Sequence, residues 1–177
     1  MNTDPMLTFG QAIVDNAHKS VKQLLRDGAC PNVRTYNYLG KFKPHGNCSA
    51  AFLACRNDTI NTLLQHSEVD ITAVYAKGNT LLHESCTFQN APAVQLLLQR
   101  GAEVDARADD GFTPFMVAAH CNDLESMRHL IQFGADVTST ASSGWATGKS
   151  AHDLSTVDIS GLLRREVPLN MGVGIQV

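Results

Sequence analysis

The chain has 177 residues, of which 44% are hydrophobic, 18% are charged and 6% are aromatic, and its formal net charge is −3. This composition is that of a globular protein and excludes a wholly disordered or collagen-like chain. A nearly neutral chain has no general attraction for phosphate backbones, so the charge disfavours nucleic acid as a partner.

The first two predicted units are weak copies of one helix-pair pattern. In residues 9–34, the run VKQLLRDGA, which begins at Val21, has the apolar spacing of a helix that ends at a glycine. In residues 46–76, the run SAAFLAC, which begins at Ser49, is a candidate first helix, and the run LLQHSEVD, which begins at Leu63, ends a second. The spacing inside this second unit is shorter than in the others, so the sequence defines its helices less well.

The next two units, residues 77–109 and 110–142, repeat each other in register without a gap. Each contains Gly-x-Thr, a short helical segment, an apolar stripe at helical spacing and a terminating glycine. A unit of this size cannot bury its apolar face alone, so it must stack on its neighbours. Pairs that lie 33 residues apart are Gly78 and Gly111, Thr80 and Thr113, Leu97 and Leu130, Gly101 and Gly134, and Val104 and Val137.

These two units resemble the ankyrin repeat, which has 33 residues and the motif G-x-T-P-L-H, then Ala-Ala, then V-x-x-L-L-x-x-G-A-D. The runs GNTLLH from Gly78 and GFTPFM from Gly111 match its turn, and GAEVD from Gly101 and GADV from Gly134 match its end. The resemblance implies an all-α solenoid of about five helix-turn-helix repeats with projecting β-hairpin loops. It also implies that the protein binds another protein and has no catalytic site, metal or cofactor.

The last predicted unit, residues 143–166, is a shortened repeat that completes a domain over residues 1–166. The run GKSAHDL, which begins at Gly148, resembles a turn and first helix. The tail, residues 167–177, has no repeat pattern. It ends in Ile-Gln-Val, which suits a PDZ-type groove, although packing on the last repeat or disorder are alternatives.

Residues 33–45 are an insertion, because the chain here is about nine residues longer than the ankyrin spacing, and such insertions form loops on one face. Aromatic and basic side chains alternate in it, namely Arg34, Tyr36, Tyr38, Lys41, Phe42 and Lys43. This mixture suits contact with a protein, with nucleic-acid-associated regulation as the alternative function. The aromatics could equally fold back onto the first repeat.

A second insertion surrounds Trp145, the only tryptophan. A lone tryptophan among small residues is either a contact anchor or a cover for the last full repeat. In the repeat register, further candidate contact residues follow each turn glycine or end each first helix, and are expected to face the concave side. These are Arg56, Asn57, Asn79, Phe88, Phe112, His120 and Cys121.

Other site types are disfavoured by the same register. His83, Cys86, His120 and Cys121 could ligate a metal, but their repeat positions would not let four ligands converge. The five cysteines are odd in number and form no C-x-x-C, which indicates free thiols in a reducing compartment. With no signal-peptide pattern and no apolar run of about 18 residues, we expect a cytoplasmic or nuclear protein that does not insert into membranes and is a monomer by itself.

Overall fold

The computed structural model describes residues 5–32, 34–35, 48–66 and 68–166, over which the chain forms five successive pairs of helices. The all-α solenoid with projecting hairpins that the repeats predict is confirmed. The helices are α1 (Pro5–Val14), α2 (His18–Arg26), α3 (Ala50–Ala54), α4 (Thr59–Leu63), α5 (Leu81–Thr87), α6 (Ala91–Gln99), α7 (Pro114–His120), α8 (Leu124–Gln132), α9 (Ala151–Leu154) and α10 (Ser160–Glu166).

The pairs stack so that like helices lie side by side. The first helix of each pair packs on the first helix of the next, as α5 does on α7 and α7 on α9, and we call these helices the first-helix layer. The second helices form the other layer, in which α6 packs on α8 and α8 on α10. The five-residue helices α3 and α4 pack less extensively on α5 and α6 than those two helices pack on α7 and α8.

The first helices α3, α5 and α7 each begin where a hydroxyl accepts a hydrogen bond from the first turn. Ser49 accepts from the N–H of Phe52, and Thr113 accepts from the N–H of Met116. Thr80 accepts from the N–H of His83 and is paired with the His83 ring in a capping box. Such caps satisfy backbone donors that have no partner inside the helix. The Gly-x-Thr motif thus sets where α5 and α7 start.

The segments between pairs form short hairpins. Strands β1 (Arg34–Thr35) and β2 (Cys48–Ser49) pair antiparallel, while Val74 bridges Thr80 and Thr140 bridges Ser150 in the later hairpins. Neighbouring hairpins are hydrogen-bonded, because the N–H of Asp109 donates to the carbonyl of Lys77 at 2.9 Å. Hydrogen bonds of this kind, with those from Ser142 and Ser143 to Asp110, join the three later hairpins into a row.

The core runs between the two layers along the described length of the chain. The predicted apolar stripe of α6 is buried at Val94, Leu97 and Leu98, and Phe115 of α7 is fully buried. Small residues at Ala118 and Ala119 are also buried, which lets neighbouring helices approach closely. None of the helices in the described segments combines the length and the apolar content that crossing a bilayer requires.

Candidate interaction surface

Trp145 is the centre of an exposed aromatic group on the last long hairpin. It lies in a 3-10 turn, Gly144–Ala146, and 65% of its surface is exposed. Its ring centroid lies 6.1 Å from that of Phe112 and 5.4 Å from that of His120. The Nζ of Lys149 lies 5.3 Å from the Trp145 ring centroid, within range of a cation–π interaction. We call Phe112, His120, Trp145 and Lys149 the Trp145 cluster.

Backbone hydrogen bonds hold this hairpin in place. The N–H groups of Ser142 and Ser143 both donate to the carbonyl of Asp110, at 2.9 and 3.1 Å. Gly111 permits this approach, since a Cβ at that position would lie 2.6 Å from the nitrogen of Ser142. Ala146, next to Trp145, is fully buried and anchors the turn. Trp145 is therefore exposed on a fixed backbone.

A second aromatic group lies on the first-helix layer. Phe88 follows the last residue of α5 and is 36% exposed. The guanidinium carbon of Arg56, which lies in the turn after α3, is 5.0 Å from the Phe88 ring centroid. We call these two residues the Arg56–Phe88 pair. The pair joins the second helix pair to the third, because Arg56 and Phe88 belong to different units.

The segment between the two aromatic groups is ordered by inter-repeat hydrogen bonds. The side-chain amide of Gln89 donates to the carbonyl of Cys121 at 2.7 Å. The Cys121 thiol lies 3.7 Å from the carbonyl oxygen of Thr87. Since His120 and Cys121 are adjacent, these bonds place the Trp145 cluster next to the end of α5 that carries Phe88.

Glu84 is an acidic residue on this surface that sequence reasoning missed. It lies on α5 one helical turn before Phe88 and is partly buried. Burial raises the pKa of the Glu84 carboxyl to about 7, and the nearby positive charge of Arg56 opposes part of this rise. The signal available in the sequence was the spacing of four residues between Glu84 and Phe88, which puts both on one face of a helix.

Four of the candidate contact residues are less exposed than the register predicts, and the first two are Phe112 and Asn57. The expectation that Phe112 is exposed is wrong, because only 8% of it is accessible and its ring packs under Trp145. Asn57 is half-buried, and its side-chain amide donates to the carbonyl of Ile13 at 2.7 Å. Its own carbonyl accepts a hydrogen bond from Asn90. Asn57 therefore connects three successive repeats.

The other two half-buried candidates are Asn79 and Cys121. Asn79 is half-buried at the end of a hairpin, where its carbonyl accepts the N–H of Tyr75. Cys121 is half-buried rather than open, and burial raises the pKa of its thiol. Tyr36, Tyr38 and Phe42 lie outside the described residues.

His83, Cys55 and Cys86 are buried in the core of the repeats. His83 is buried, and its Nε2 lies 3.1 Å from the carbonyl oxygen of Phe112. Cys55 and Cys86 are fully buried, and burial raises the pKa of the Cys55 thiol to about 12, so this thiol stays protonated at neutral pH. Within the described ranges, no three His, Cys, Asp or Glu side chains are grouped so as to hold a metal ion.

Comparison with known proteins gives one family match and several partial relatives. The family described as "Ankyrin repeats (3 copies)" matches residues 50–141, more than half of the chain. The human transient receptor potential cation channel subfamily A member 1 is 31% identical over 125 residues, which are 71% of this chain and 11% of that protein. The mouse RelA-associated inhibitor is 38% identical over 71 residues, 40% of this chain and 9% of that protein.

A shorter relative is human protein phosphatase 1 regulatory subunit 27, which is 28% identical over 87 residues, 49% of this chain and 56% of that protein. The chain thus spans less than two thirds of each of these three relatives. The family match covers α3 to α8 and the hairpins between them, whose caps and hydrogen bonds follow the repeat. The chain belongs to the ankyrin repeat family.

Proposed function

We propose that the protein is a non-enzymatic interaction module, an adaptor, inhibitor or assembly factor, that binds a partner protein through its concave face and hairpins. Ankyrin repeats are protein-interaction modules. The observation that carries the proposal is the exposure of two aromatic rings, Phe88 and Trp145, on the first-helix layer and the adjoining hairpin. Aromatic and arginine side chains dominate binding energy at protein interfaces.

The placement of these rings supports binding rather than packing. Trp145 covers Phe112 with one part of its surface and leaves 65% exposed, on a backbone that hydrogen bonds hold in place. A rigid exposed aromatic loses little conformational entropy when a partner covers it. The names of two relatives, an inhibitor and a regulatory subunit, are in keeping with a role that acts through another protein.

Affinity capture from native lysate, quantified by mass spectrometry, tests the proposal. The native protein is compared with Trp145→Ala and Phe88→Ala, and with the control Phe133→Ala. Phe133 is 43% exposed but lies at the end of α8 in the second-helix layer. We expect the native protein and the control to capture the same partners. We expect Trp145→Ala and Phe88→Ala each to bind those partners about 30-fold more weakly, a loss of about 2 kcal/mol in binding free energy. Partners held equally by all four proteins would contradict the proposed surface.

A further inference from the structure

Neighbouring hairpins in the row meet in the same way at two successive junctions. Gly78 and Gly111 both have positive φ, +74° and +81°. A Cβ at either glycine would collide with the next hairpin, at 2.7 Å from the nitrogen of Asp109 or 2.6 Å from that of Ser142. The carbonyl of the residue before each glycine accepts a hydrogen bond of 2.9 Å from that same nitrogen. Each hairpin thus offers a left-handed glycine and a carbonyl to the backbone of the next hairpin.

The last described hairpin repeats these features without a neighbour on its outer side among the described residues. Gly144 and Gly148 have φ of +74° and +76°, and a Cβ at either would have nothing within 4 Å. The carbonyl of Thr147, the residue before Gly148, accepts no hydrogen bond from the described part of the chain. An unpaired carbonyl beside a glycine is an edge to which an extended backbone can be added.

The aromatic residues of the last two hairpins show the same contrast. Phe112 follows Gly111 and is 8% exposed, because the Trp145 ring of the next hairpin packs over it. Trp145 follows Gly144 and is 65% exposed. A further segment in the row would therefore cover Trp145 as Trp145 covers Phe112, and would remove apolar surface from water.

Residues 167–177, which follow α10, have the length to reach this edge. The N–H donors at the two inner junctions, Asp109 and Ser142, each lie ten residues after the last residue of the preceding second helix. Helix α10 packs beside α8 and ends at Glu166, so the same count reaches Gln176. The chain therefore leaves α10 beside the point from which the preceding repeat approaches its next hairpin.

The same residues have the periodicity of a strand with one apolar face. Apolar side chains alternate with Pro, Asn, Gly or Gln throughout residues 167–177, a pattern that predicts a half-buried strand. Pro168 lies near the start of this segment, where a strand tolerates proline. In such a strand Ile175 and Val177 lie on one face, with the N–H of Gln176 between them. The apolar positions are Val167, Leu169, Met171, Val173, Ile175 and Val177.

We propose that residues 167–177 add an extended strand to the outer edge of the last hairpin, in the place of a further hairpin. The N–H of Gln176 then donates to the carbonyl of Thr147, while Ile175 and Val177 cover Trp145. The competing occupants are a second copy of the chain and a strand from a partner. The segment of the same chain is favoured, because its attachment to α10 gives it a high effective concentration at this edge.

This inference goes beyond the proposed function, because it assigns an occupant within the chain to the edge beside Trp145. A partner that covers Trp145 must displace this segment, so residues 167–177 act as an intramolecular competitor. The experiment below contains no partner, and its failure would leave the proposed function standing.

Trp145 is the only tryptophan, so acrylamide quenching of its fluorescence measures how far it is covered. The full native chain is compared with the double variant Ile175→Asp with Val177→Asp, which puts two charges on the apolar face. The control, Asn170→Asp with Gln176→Asp, adds the same charges to the other face and keeps every backbone N–H. We expect the first variant to be quenched at least about twofold faster than the native chain and the control, because its ring regains the 65% exposure described above.

Equal quenching in all three proteins would overturn the proposal, because this face would then not cover Trp145. Shielding of the native chain that is lost on dilution would also overturn it and would indicate a second copy as the occupant. A Trp145 that is shielded only after a partner is added would assign the edge to a strand of that partner.

Hydrogen exchange followed by mass spectrometry checks the backbone pairing in the full chain. The amides of residues 167–177 should exchange at least about tenfold more slowly in the native chain than in the Ile175→Asp with Val177→Asp variant, because a docked strand must open first. Gln176→Pro removes the N–H that pairs with Thr147, whereas Gln176→Ala keeps it, so only the proline variant should lose the protection. Native amides that exchange at the rate of an unstructured peptide would overturn the proposal.

Discussion

His83 and Phe112 connect two consecutive repeats through one hydrogen bond. The Nε2 of His83 donates to the carbonyl of Phe112 at 3.1 Å, while its Nδ1 faces the hydroxyl of Thr80 at 2.9 Å and accepts from the Thr80 N–H at 3.3 Å. Because a carbonyl only accepts, the neutral ring must carry its proton on Nε2. One side chain thus caps α5 and holds the next hairpin.

Replacing His83 by Ala should lower the free energy of unfolding by about 1–3 kcal/mol, because the carbonyl of Phe112 keeps only the N–H of Ala108 and the cap of α5 loses the His83 ring. Burial also lowers the pKa of His83 below its ordinary value of 6.5. Below pH 6.5 the unfolded chain binds a proton at His83 that the folded chain does not. The contribution of His83 to the free energy of unfolding is therefore fully present above pH 6.5 and is lost as the pH falls below it. Urea unfolding from pH 5 to pH 8 should show this fall in the native protein and a weaker one in His83→Gln.

Glu84 should act on stability in the opposite direction. Its pKa is raised from 4.5 to about 7 in the folded chain, so its contribution is complete below pH 4.5 and is lost as pH rises towards 7. Glu84→Gln should therefore be more stable than the native protein at pH 8, on the order of 1 kcal/mol after discounting for partial exposure. The difference should shrink as the pH of the urea titration is lowered to 5. A difference independent of pH would show that Glu84 is ionised at all these values.

Alanine substitutions at Gly78 and Gly101 can be compared to measure how much the contact between neighbouring hairpins stabilises the fold. Both have positive φ, +74° and +84°, which Ala adopts only with strain. A Cβ at Gly78 would lie 2.7 Å from the nitrogen of Asp109 in the next hairpin, whereas a Cβ at Gly101 would have nothing within 4 Å. Gly101→Ala should cost about 1 kcal/mol and Gly78→Ala at least about 1 kcal/mol more. If chemical denaturation shows that both variants lose the same free energy of unfolding, the contact between these hairpins contributes little to stability.

Thiol labelling at pH 8 should follow burial. Cys30 is exposed and should react first, while Cys121 should be slower because its thiol is half-buried with a raised pKa. Cys55 and Cys86 are fully buried and should react only when the repeats open. Mass spectrometry of timed maleimide reactions resolves this order. Rapid modification of Cys86 would contradict this order and would show that α5 is loosely packed.

The insertion at residues 33–45 gives a prediction from sequence alone. Replacing it with a short Gly-containing turn should keep a folded array and lower partner affinity at least tenfold, about 1.4 kcal/mol, if its aromatics contact the partner. Circular dichroism and calorimetry separate these effects. Unaltered affinity would make the insertion a spacer. Binding to nucleic acid that weakens steeply with salt would favour the alternative function.

The helix pairs could be predicted because each local signal agrees with the repeat. Thr80 and Thr113 cap helices, and Leu97 lies on a buried stripe, whatever the neighbouring unit contains. The exposure of Phe112 could not be predicted, because it depends on the ring that the next hairpin places over it. Likewise, the pKa of Glu84 depends on how two stacked units exclude water from one carboxyl.

The limited packing of α3 and α4 on α5 and α6 divides the array into two parts. In a linear array, stability is approximately a sum of unit terms and nearest-neighbour interface terms, so the smallest interface sets where local unfolding begins. Opening there would release α1 to α4 while α5 to α10 remain folded. Arg56 and Phe88 lie on opposite sides of this boundary. A partner that covers both residues would suppress that opening, and amide exchange in the first four helices would slow even where the partner makes no contact.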